Sequence, residues 1–435
     1  MTRTSKDGYI TPMSTKTTST VRANATPSFE PIPLWQVLLC GAAIISLAMG
    51  VRHGFGLWLQ PMTQAHDWSR QNYSFAIAVQ NLTWGVVGVF SGMIADRFGA
   101  FRVIVVCGLL YALGLYGMAF ASSTQMLLVT TGLLIGCAQA GTTYAVIYGL
   151  IGRNVAPEKR SWAMGVAAAA GSFGQFLMVP TEGWLIQWAG WQTALVILAC
   201  SALVIIPLAF GLREPGFKSA HASLGQQTIA HALKEAFGLR SFRLLMSGYF
   251  VCGFQVVFIA VHMPGYLRDH GLAPQVASYA LALIGLFNIF GTYAAGALGE
   301  RVAKNKMLSA IYLGRAIAIS LFISSPLSPM SVYIFAGVMG FLWLSTVPPT
   351  NAVIAQIFGV AHLSMLGGFV FLSHQLGSFM GVWLGGYLYD IDGNYDIVWY
   401  LCIALGVFAC LINLPIQITP IERGLGALNS RASRT

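Results

Sequence analysis

The sequence predicts an all-α membrane protein in which twelve transmembrane helices form two pseudo-symmetric six-helix bundles. Three observations indicate this fold. The 435 residues are 56% hydrophobic and only 9% charged, with a mean hydropathy of +0.69, which is too apolar for a soluble protein of this length. Twelve apolar segments reach the length of about 20 residues that a membrane span requires. The two halves of the chain also share a sequence repeat.

The apolar segments, numbered spans 1 to 12, fall into two groups of six. They lie near 34–60, 72–95, 102–121, 126–151, 161–187, 191–212, 243–267, 276–299, 307–325, 330–356, 363–389 and 396–418. This predicts a disordered, uncleaved cytoplasmic tail at 1–33, an N-terminal bundle at 34–212, a cytoplasmic linker at 213–242, a C-terminal bundle at 243–418 and a cytoplasmic tail at 419–435.

The basic residues predict the orientation. If both termini are cytoplasmic, all but four of the 24 Lys and Arg lie on the cytoplasmic side, the exceptions being Arg52, Arg70, Arg268 and Arg315. This asymmetry follows the positive-inside rule. The net charge of +10 is therefore explained by membrane topology, and we expect no nucleic-acid partner.

Enzyme chemistry has little support in the sequence. The seven cysteines lie in apolar runs without a Cys-x-x-Cys pair, which predicts neither a disulfide framework nor a metal site. The sequence shows no nucleotide-binding loop, no cluster of His and carboxylate residues and no recognisable Ser-His-Asp order. We therefore expect no cofactor and no enzyme activity, and a polytopic membrane enzyme or sensor is the weakest alternative.

The repeat is clearest around two short polar turns. Gly92–Arg102 reads Gly-Met-Ile-Ala-Asp-Arg-Phe-Gly-Ala-Phe-Arg, and Gly296–Lys306 reads Gly-Ala-Leu-Gly-Glu-Arg-Val-Ala-Lys-Asn-Lys, 204 positions later. Gly92, Asp96 and Arg97 thus correspond to Gly296, Glu300 and Arg301. At the same offset, His66, Gln71 and Ser74 are matched by identical residues. A duplicated six-helix unit is typical of secondary transporters.

The first turn resembles the loop between helices 2 and 3 of the major facilitator superfamily, with its pattern Gly-x-x-x-Asp-Arg-x-Gly. The resemblance implies the major facilitator fold, and it implies that Asp96 and its basic neighbours join the cytoplasmic ends of the two bundles in a contact that breaks during transport. An acid at a helix C-terminus opposes the helix dipole, so Asp96 needs an outside partner. A solvated turn with a helix-ending glycine is the alternative.

Few ionisable side chains lie within the spans, and each requires a partner, water or a function there. Arg52 and His53 fall in the outer half of span 1, and neighbouring positions point about 100° apart, so we expect only one to face the central space fully. His374 falls near the middle of span 11, where it is either bonded to a neighbouring helix or part of a substrate or proton site. Glu182 lies near the outer end of span 5.

Other polar residues are candidate ligands or interhelical hydrogen-bonding groups. Gln139 and Tyr144 lie on span 4, and Asn288 lies near the middle of span 8. On span 7, Gln255 and His262 are seven residues apart and share a face, which predicts a stripe along the central space. We expect Arg315, on the peripheral span 9, to form a structural ion pair.

The expected substrate is a small organic anion, because the ionisable groups near the centre are cationic or titratable. The predicted substrate-binding residues are Arg52, His53, Gln139, Tyr144, Gln255, His262, Asn288 and His374. Within the superfamily the chain resembles the bacterial relatives of the monocarboxylate transporters, through Arg-x-Gly-Phe-Gly-Leu in span 1 and Ser-His-Gln-Leu-Gly in span 11. That resemblance implies a multi-pass protein of the bacterial inner membrane. It departs at Thr292, where monocarboxylate carriers usually place an arginine.

The expected mechanism is uptake by alternating access as a monomer, coupled to a proton carried by His374, His53 or Glu182. One alternative is uptake or efflux of an aromatic or heterocyclic compound, held by Trp84, Tyr144, Tyr148 and Trp343.

Overall fold

A computed structural model describes residues 32–214, 229–359 and 363–421, and throughout this part the regular elements are helices. Twelve helical segments in it are long and apolar enough to cross a membrane, which confirms the predicted fold class. Helices suit the bilayer because each satisfies its own backbone hydrogen bonds. The spans are Leu34–His66, Arg70–Ala95, Ala100–Ala119, Thr124–Asn154, Glu158–Ala189, Trp191–Phe210, Arg240–Asp269, Pro274–Leu298, Lys304–Ser324, Pro329–Phe358, Met365–Asp392 and Asp396–Asn413.

The predicted tails and linker lie largely outside the described residues. The described part begins at Ile32 and ends at Ile421, and it omits 215–228. The remainder of the predicted linker contains a short helix, Ile229–Gly238, which precedes span 7. The division into domains proposed above stays a prediction.

Spans 4 and 10 are both interrupted, at equivalent positions of the repeat. Span 4 contains a π-helical stretch, Leu128–Ile135, and it restarts as an α-helix after Thr143, whose backbone is extended (φ −113°, ψ −155°). Span 10 stops being helical after Leu342 and restarts at Val347, which lies 204 residues after Thr143. The repeat offset read from the polar turns therefore also relates the two interruptions.

The two bundles meet along two pairs of antiparallel helices. Span 2 packs along span 11, and span 5 packs along span 8. Within each bundle, close backbone contacts hold other pairs together: the backbone of Gly174 on span 5 touches Ser46 on span 1, and Gly377 on span 11 touches Phe250 on span 7. The interface between the bundles therefore runs between spans 2 and 11 and between spans 5 and 8.

Candidate functional site

Spans 2 and 11 touch along only part of their length. Their contacts follow one register, in which Arg70 meets Asp390, Ser74 meets Gly386 and Gly85 meets Gln375. A β-carbon added at Gly85 would lie 2.8 Å from Cβ of Gln375. Continuing the same register places Gly92 opposite Gly368, yet a β-carbon at either position would have no atom within 4 Å. The two spans therefore separate beyond Gly85.

Spans 5 and 8 separate in the same way. They are joined where Gln175 donates to the carbonyl of Leu281 (2.9 Å) and Asn288 donates to the hydroxyl of Ser172 (2.8 Å). About two helical turns further on, Gly165 and Gly296 again have no atom within 4 Å of an added β-carbon. The space between the bundles is thus open at the end that contains Gly92 and Gly296, which we call the Gly92 end.

The opposite end, which we call the Arg70 end, is closed by a polar network that joins the bundles. Arg70 on span 2 makes a two-bond ion pair with Asp269 on span 7, with both N–O distances at 2.7 Å. Asp269 also accepts from Gln60 (2.8 Å), and Asp390 accepts from the backbone N–H of Arg70 and Gln71. Ion pairs of this fork geometry fix orientation strongly. None of these residues stands out in the sequence as a functional candidate.

Tyr395 completes the closed end. Its hydroxyl accepts a hydrogen bond from Arg70 at 2.7 Å, and burial raises the pKa of the Tyr395 phenol above its usual range, so the group remains neutral. Arg70 also lies over the ring of Tyr389, 3.7 Å from its centroid. The network therefore combines an ion pair with cation–π contacts.

Arg52, on span 1 of the N-terminal bundle, contacts span 2 at Asn81 and Trp84, directly before Gly85, beyond which spans 2 and 11 separate. Its Nη2 donates to Oδ1 of Asn81 at 2.7 Å, and its guanidinium lies 4.8 Å from the ring centroid of Trp84. Its Nε is buried and has no hydrogen-bond partner among the described residues. No described carboxylate pairs with Arg52. A cation with an unused donor and only neutral neighbours is suited to binding an anion.

Aromatic rings continue this site across the bundle interface. Trp84 meets Phe371 of span 11 edge to face at 5.1 Å, and Phe371 lies parallel to the ring of His374 at 6.0 Å. His374 is buried, and its Nδ1 lies 3.3 Å from Oε1 of Gln375 and 3.4 Å from Oγ of Ser378. The candidate site thus extends from Arg52 to His374 through two rings. Sequence reasoning missed Asn81 and Phe371.

Gln139 and Tyr144 flank the interruption of span 4. Both amide atoms of Gln139 are buried without a hydrogen-bond partner among the described residues. The Thr143 hydroxyl donates to the carbonyl of Gln139 at 2.6 Å. This bond satisfies a carbonyl oxygen at the interruption of the helix. The ring of Tyr144 lies 5.6 Å from that of Tyr148, and its hydroxyl packs against Gly171. Gln139 is therefore a fully buried amide beside the interruption of span 4.

Gln255 and His262 face the interior of the C-terminal bundle. Gln255 donates to the carbonyl of Cys402 on span 12 at 2.8 Å. His262 lies 2.8 Å from the carbonyl of Val382 and 3.3 Å from the hydroxyl of Tyr395. Both side chains are fully buried. They are directed away from the central space, so we leave them out of the proposed site.

Asn288 and His53 are both buried and bonded. Asn288 joins span 8 to Ser172 of span 5, and its Oδ1 accepts from the backbone N–H of Leu344 at 2.9 Å, in the interruption of span 10. His53 contacts the carbonyl of Met49 through Nδ1 at 2.6 Å. Of the two neighbouring residues in span 1, Arg52 is the one that contains a buried nitrogen without a hydrogen-bond partner among the described residues.

Arg315 does not form the predicted ion pair with a described carboxylate. Its Nε and Nη2 donate to the carbonyl of Leu342 at 3.1 and 2.8 Å, and Nη2 also donates to the carbonyl of Trp343. These carbonyls lack helical partners because span 10 is interrupted there. The partners of Arg315 are therefore carbonyls exposed by the interruption of span 10 in place of the expected carboxylate.

The two polar turns lie at the Gly92 end. Gly99 ends the helix of span 2 with a φ of +88°, a conformation that favours glycine. Arg97, Glu300 and Arg301 are exposed. The side chain of Asp96 lies outside the described part of the structure, so its gating role stays a prediction.

A duplicated twelve-helix bundle with a space between its halves is the architecture of a solute transporter. The chain belongs to the Major Facilitator Superfamily, whose sequence profile matches residues 38–347 and 245–426. This confirms the family inferred from the Gly92 turn.

Several relatives and solved structures resemble the chain over most of its length. It is 24% identical to the MFS-type transporter YcxA of Bacillus subtilis, over 88% of this chain and 95% of that protein. It is 26% identical to monocarboxylate transporter 13 of Rattus norvegicus, over 83% of each. The crystal structure of a D-xylose–proton symporter has a TM-score of 0.70 at 16% identity, covering 87% of this chain and 96% of that one.

Proposed function

We propose that this protein is a secondary active transporter of a small organic anion, with a monocarboxylate as the favoured substrate class. The observation that carries the proposal is Arg52, a cation at the inner limit of the open space whose described partners are the neutral Asn81 and Trp84. A carboxylate on the solute would supply the missing charge. The similarity to monocarboxylate transporter 13 supports this class.

The proposed mechanism is alternating access. With the orientation given by the positive-inside rule, the Gly92 end faces the cytoplasm, and the arrangement described here is open inward. The bundles would then rock about the level of Arg52, so that the Arg70 network breaks as the Gly92 end closes. We propose that the protein acts in the bacterial inner membrane as a monomer, with both termini cytoplasmic.

We further propose that uptake is coupled to a proton. The candidate titrating groups are His374, His53 and Glu182. His374 forms one end of the candidate site, whereas His53 contacts a backbone carbonyl. Glu182 is buried without a partner among the described residues.

An aromatic solute is the second candidate, and a specific observation favours it. Trp84 and Phe371 meet across the bundle interface beside Arg52, and Tyr144 and Tyr148 lie on span 4. Such rings could hold a planar ring system by stacking. Trp343, also considered from the sequence, is buried at the interruption of span 10 and its carbonyl is bonded to Arg315.

Transport by the purified protein in proteoliposomes tests these assignments. The solute panel should include aliphatic monocarboxylates, aromatic monocarboxylates, neutral aromatic compounds and hydrophobic cations, each with and without an inward proton gradient. We expect accumulation of at least one monocarboxylate, and we expect that collapse of the proton gradient prevents it. Transport confined to neutral or cationic solutes would contradict the anion assignment. Solute accumulation that is the same with and without the proton gradient would contradict proton coupling.

A further inference from the structure

Glu182 is a fully buried acid near the Arg70 end of span 5. Its relative exposure is 0%, and neither carboxyl oxygen has a hydrogen-bond partner among the described residues. An ionised carboxylate in such surroundings carries a large desolvation cost. The packing around Glu182 therefore favours the neutral, protonated acid.

The carboxyl group occupies a space that span 1 leaves for it. The first helical part of span 1 ends at His53, and Gly54 follows. A β-carbon added to Gly54 would overlap Oε2 and the carboxyl carbon of Glu182. The acid therefore lies directly against the backbone at the bend of span 1.

The titratable groups around Glu182 already have other partners. The phenols of Tyr73 on span 2 and Tyr111 on span 3 are near enough to interact electrostatically with Glu182, but they donate to the carbonyls of Phe55 (2.6 Å) and Ala48 (2.8 Å).

On span 1, His53 contacts the carbonyl of Met49 and Arg52 donates to Asn81. Span 8 presents Ser278, which does not titrate, beside the next residue of span 5, Gly183. None of these groups forms an ion pair with Glu182 in the described structure.

Residues close to this acid, one on span 5 and one on span 1, contact the opposite bundle. Gly183, which follows Glu182, lies against Ser278 of span 8, and Gly56, two residues after Gly54, lies against the carbonyl of Ala260 on span 7. A surface crevice lined by Gly56, Gly183 and Ser278 reaches this contact from the Arg70 end. Separation of the bundles at that end would therefore bring water to Glu182.

We propose that Glu182 is a proton-binding site whose occupancy is required for the Arg70 end to close. When that end opens, hydration allows Glu182 to ionise; when it closes, the acid must take up a proton, because the closed packing offers no partner for the charge. The proposal rests on the alternating-access function proposed above, and it selects Glu182 from the three candidate titrating groups. Glu182 would take this proton from the side of the membrane that the Arg70 end faces. Closure of that end would then trap the proton and the solute in the protein together.

Infrared difference spectroscopy of the full-length protein tests the protonation state directly. We expect wild type minus Glu182→Gln at neutral pH to show the carbonyl-stretch band of a protonated carboxylic acid. Asp67→Asn is the matched control, since Asp67 is an exposed acid between spans 1 and 2. We expect this variant to retain the absorption band of the protonated acid, so that wild type minus Asp67→Asn does not show it. A difference spectrum that shows only the bands of an ionised carboxylate would overturn the proposal.

Transport assays supply a second test. Because an amide resembles a protonated acid, Glu182→Gln should keep solute exchange to within about twofold of wild type while net uptake driven by a proton gradient falls by at least about tenfold. Unchanged gradient-driven uptake, or equal loss of exchange and net uptake in folded protein, would overturn the assignment. If the wild type transports no solute, the proposed function fails, whereas the infrared result still decides the protonation of Glu182.

Discussion

Replacement of Arg52 by alanine should abolish most transport of a carboxylate solute. A hydrogen bond to a charged group contributes about 1.5 to 3 kcal/mol, so we expect the apparent affinity to fall roughly 10- to 150-fold. Arg52→Lys should retain part of the activity, because it keeps the charge but loses the planar two-donor geometry. The measurements are initial uptake rates over a range of solute concentrations and solute-induced thermal stabilisation of the purified protein.

The Arg52 prediction needs a control for folding, since the side chain is bonded to Asn81 within a span. Arg240→Ala is the matched control, because Arg240 is exposed at the start of span 7, and it should leave uptake unchanged. Asn81→Ala should preserve the cation and reduce uptake less than Arg52→Ala. A well-folded Arg52→Ala protein with wild-type affinity for the carboxylate would show that the anion binds elsewhere.

A disulfide across the closed end should stop transport almost completely. A β-carbon at Gly183 would lie 3.0 Å from Cβ of Ser278, slightly closer than the separation of about 3.5 to 4.5 Å found in disulfides. The double variant Gly183→Cys and Ser278→Cys should therefore cross-link in the described arrangement with a small adjustment. Because the Arg70 end must open in each cycle, oxidation should block uptake and a reductant should restore it.

The controls for this experiment are the two single cysteine variants and the wild type, which contain the same seven native cysteines. Mass spectrometry of the peptides should establish that the 183–278 bridge has formed. Unimpaired uptake by protein shown to carry the bridge would contradict movement at this contact.

The sequence predicted the spans and the duplication well because both depend on local properties. Apolar length determines which segments cross the bilayer, and the Gly92 and Gly296 turns are repeated at a fixed offset. Arg52 could be identified as a candidate because a charge inside a span is costly and therefore requires an explanation. In each case the deciding quantity can be read from neighbouring residues.

Features that depend on how helices face each other were not predictable in this way. Periodicity showed that Gln255 and His262 share one side of span 7, but the side facing span 12 and the side facing the central space have the same periodicity. The Arg70–Asp269 pair joins residues far apart in sequence, in different bundles. The carbonyls bound by Arg315 become available only because span 10 is interrupted after Leu342.

The most direct test of rocking bundles is to measure two distances in the same transport-competent protein, with spin labels on cysteines introduced after the native ones are replaced. One pair, at Gly92 and Gly368, reports the open end, and the other, at Gln187 and Gln275, reports the closed end, where the two amide side chains are hydrogen-bonded at 2.7 Å. We predict that conditions which populate the outward-open state shorten the Gly92–Gly368 distance and lengthen the Gln187–Gln275 distance. Two distances that change in the same direction, or that stay fixed while solute is transported, would contradict this mechanism.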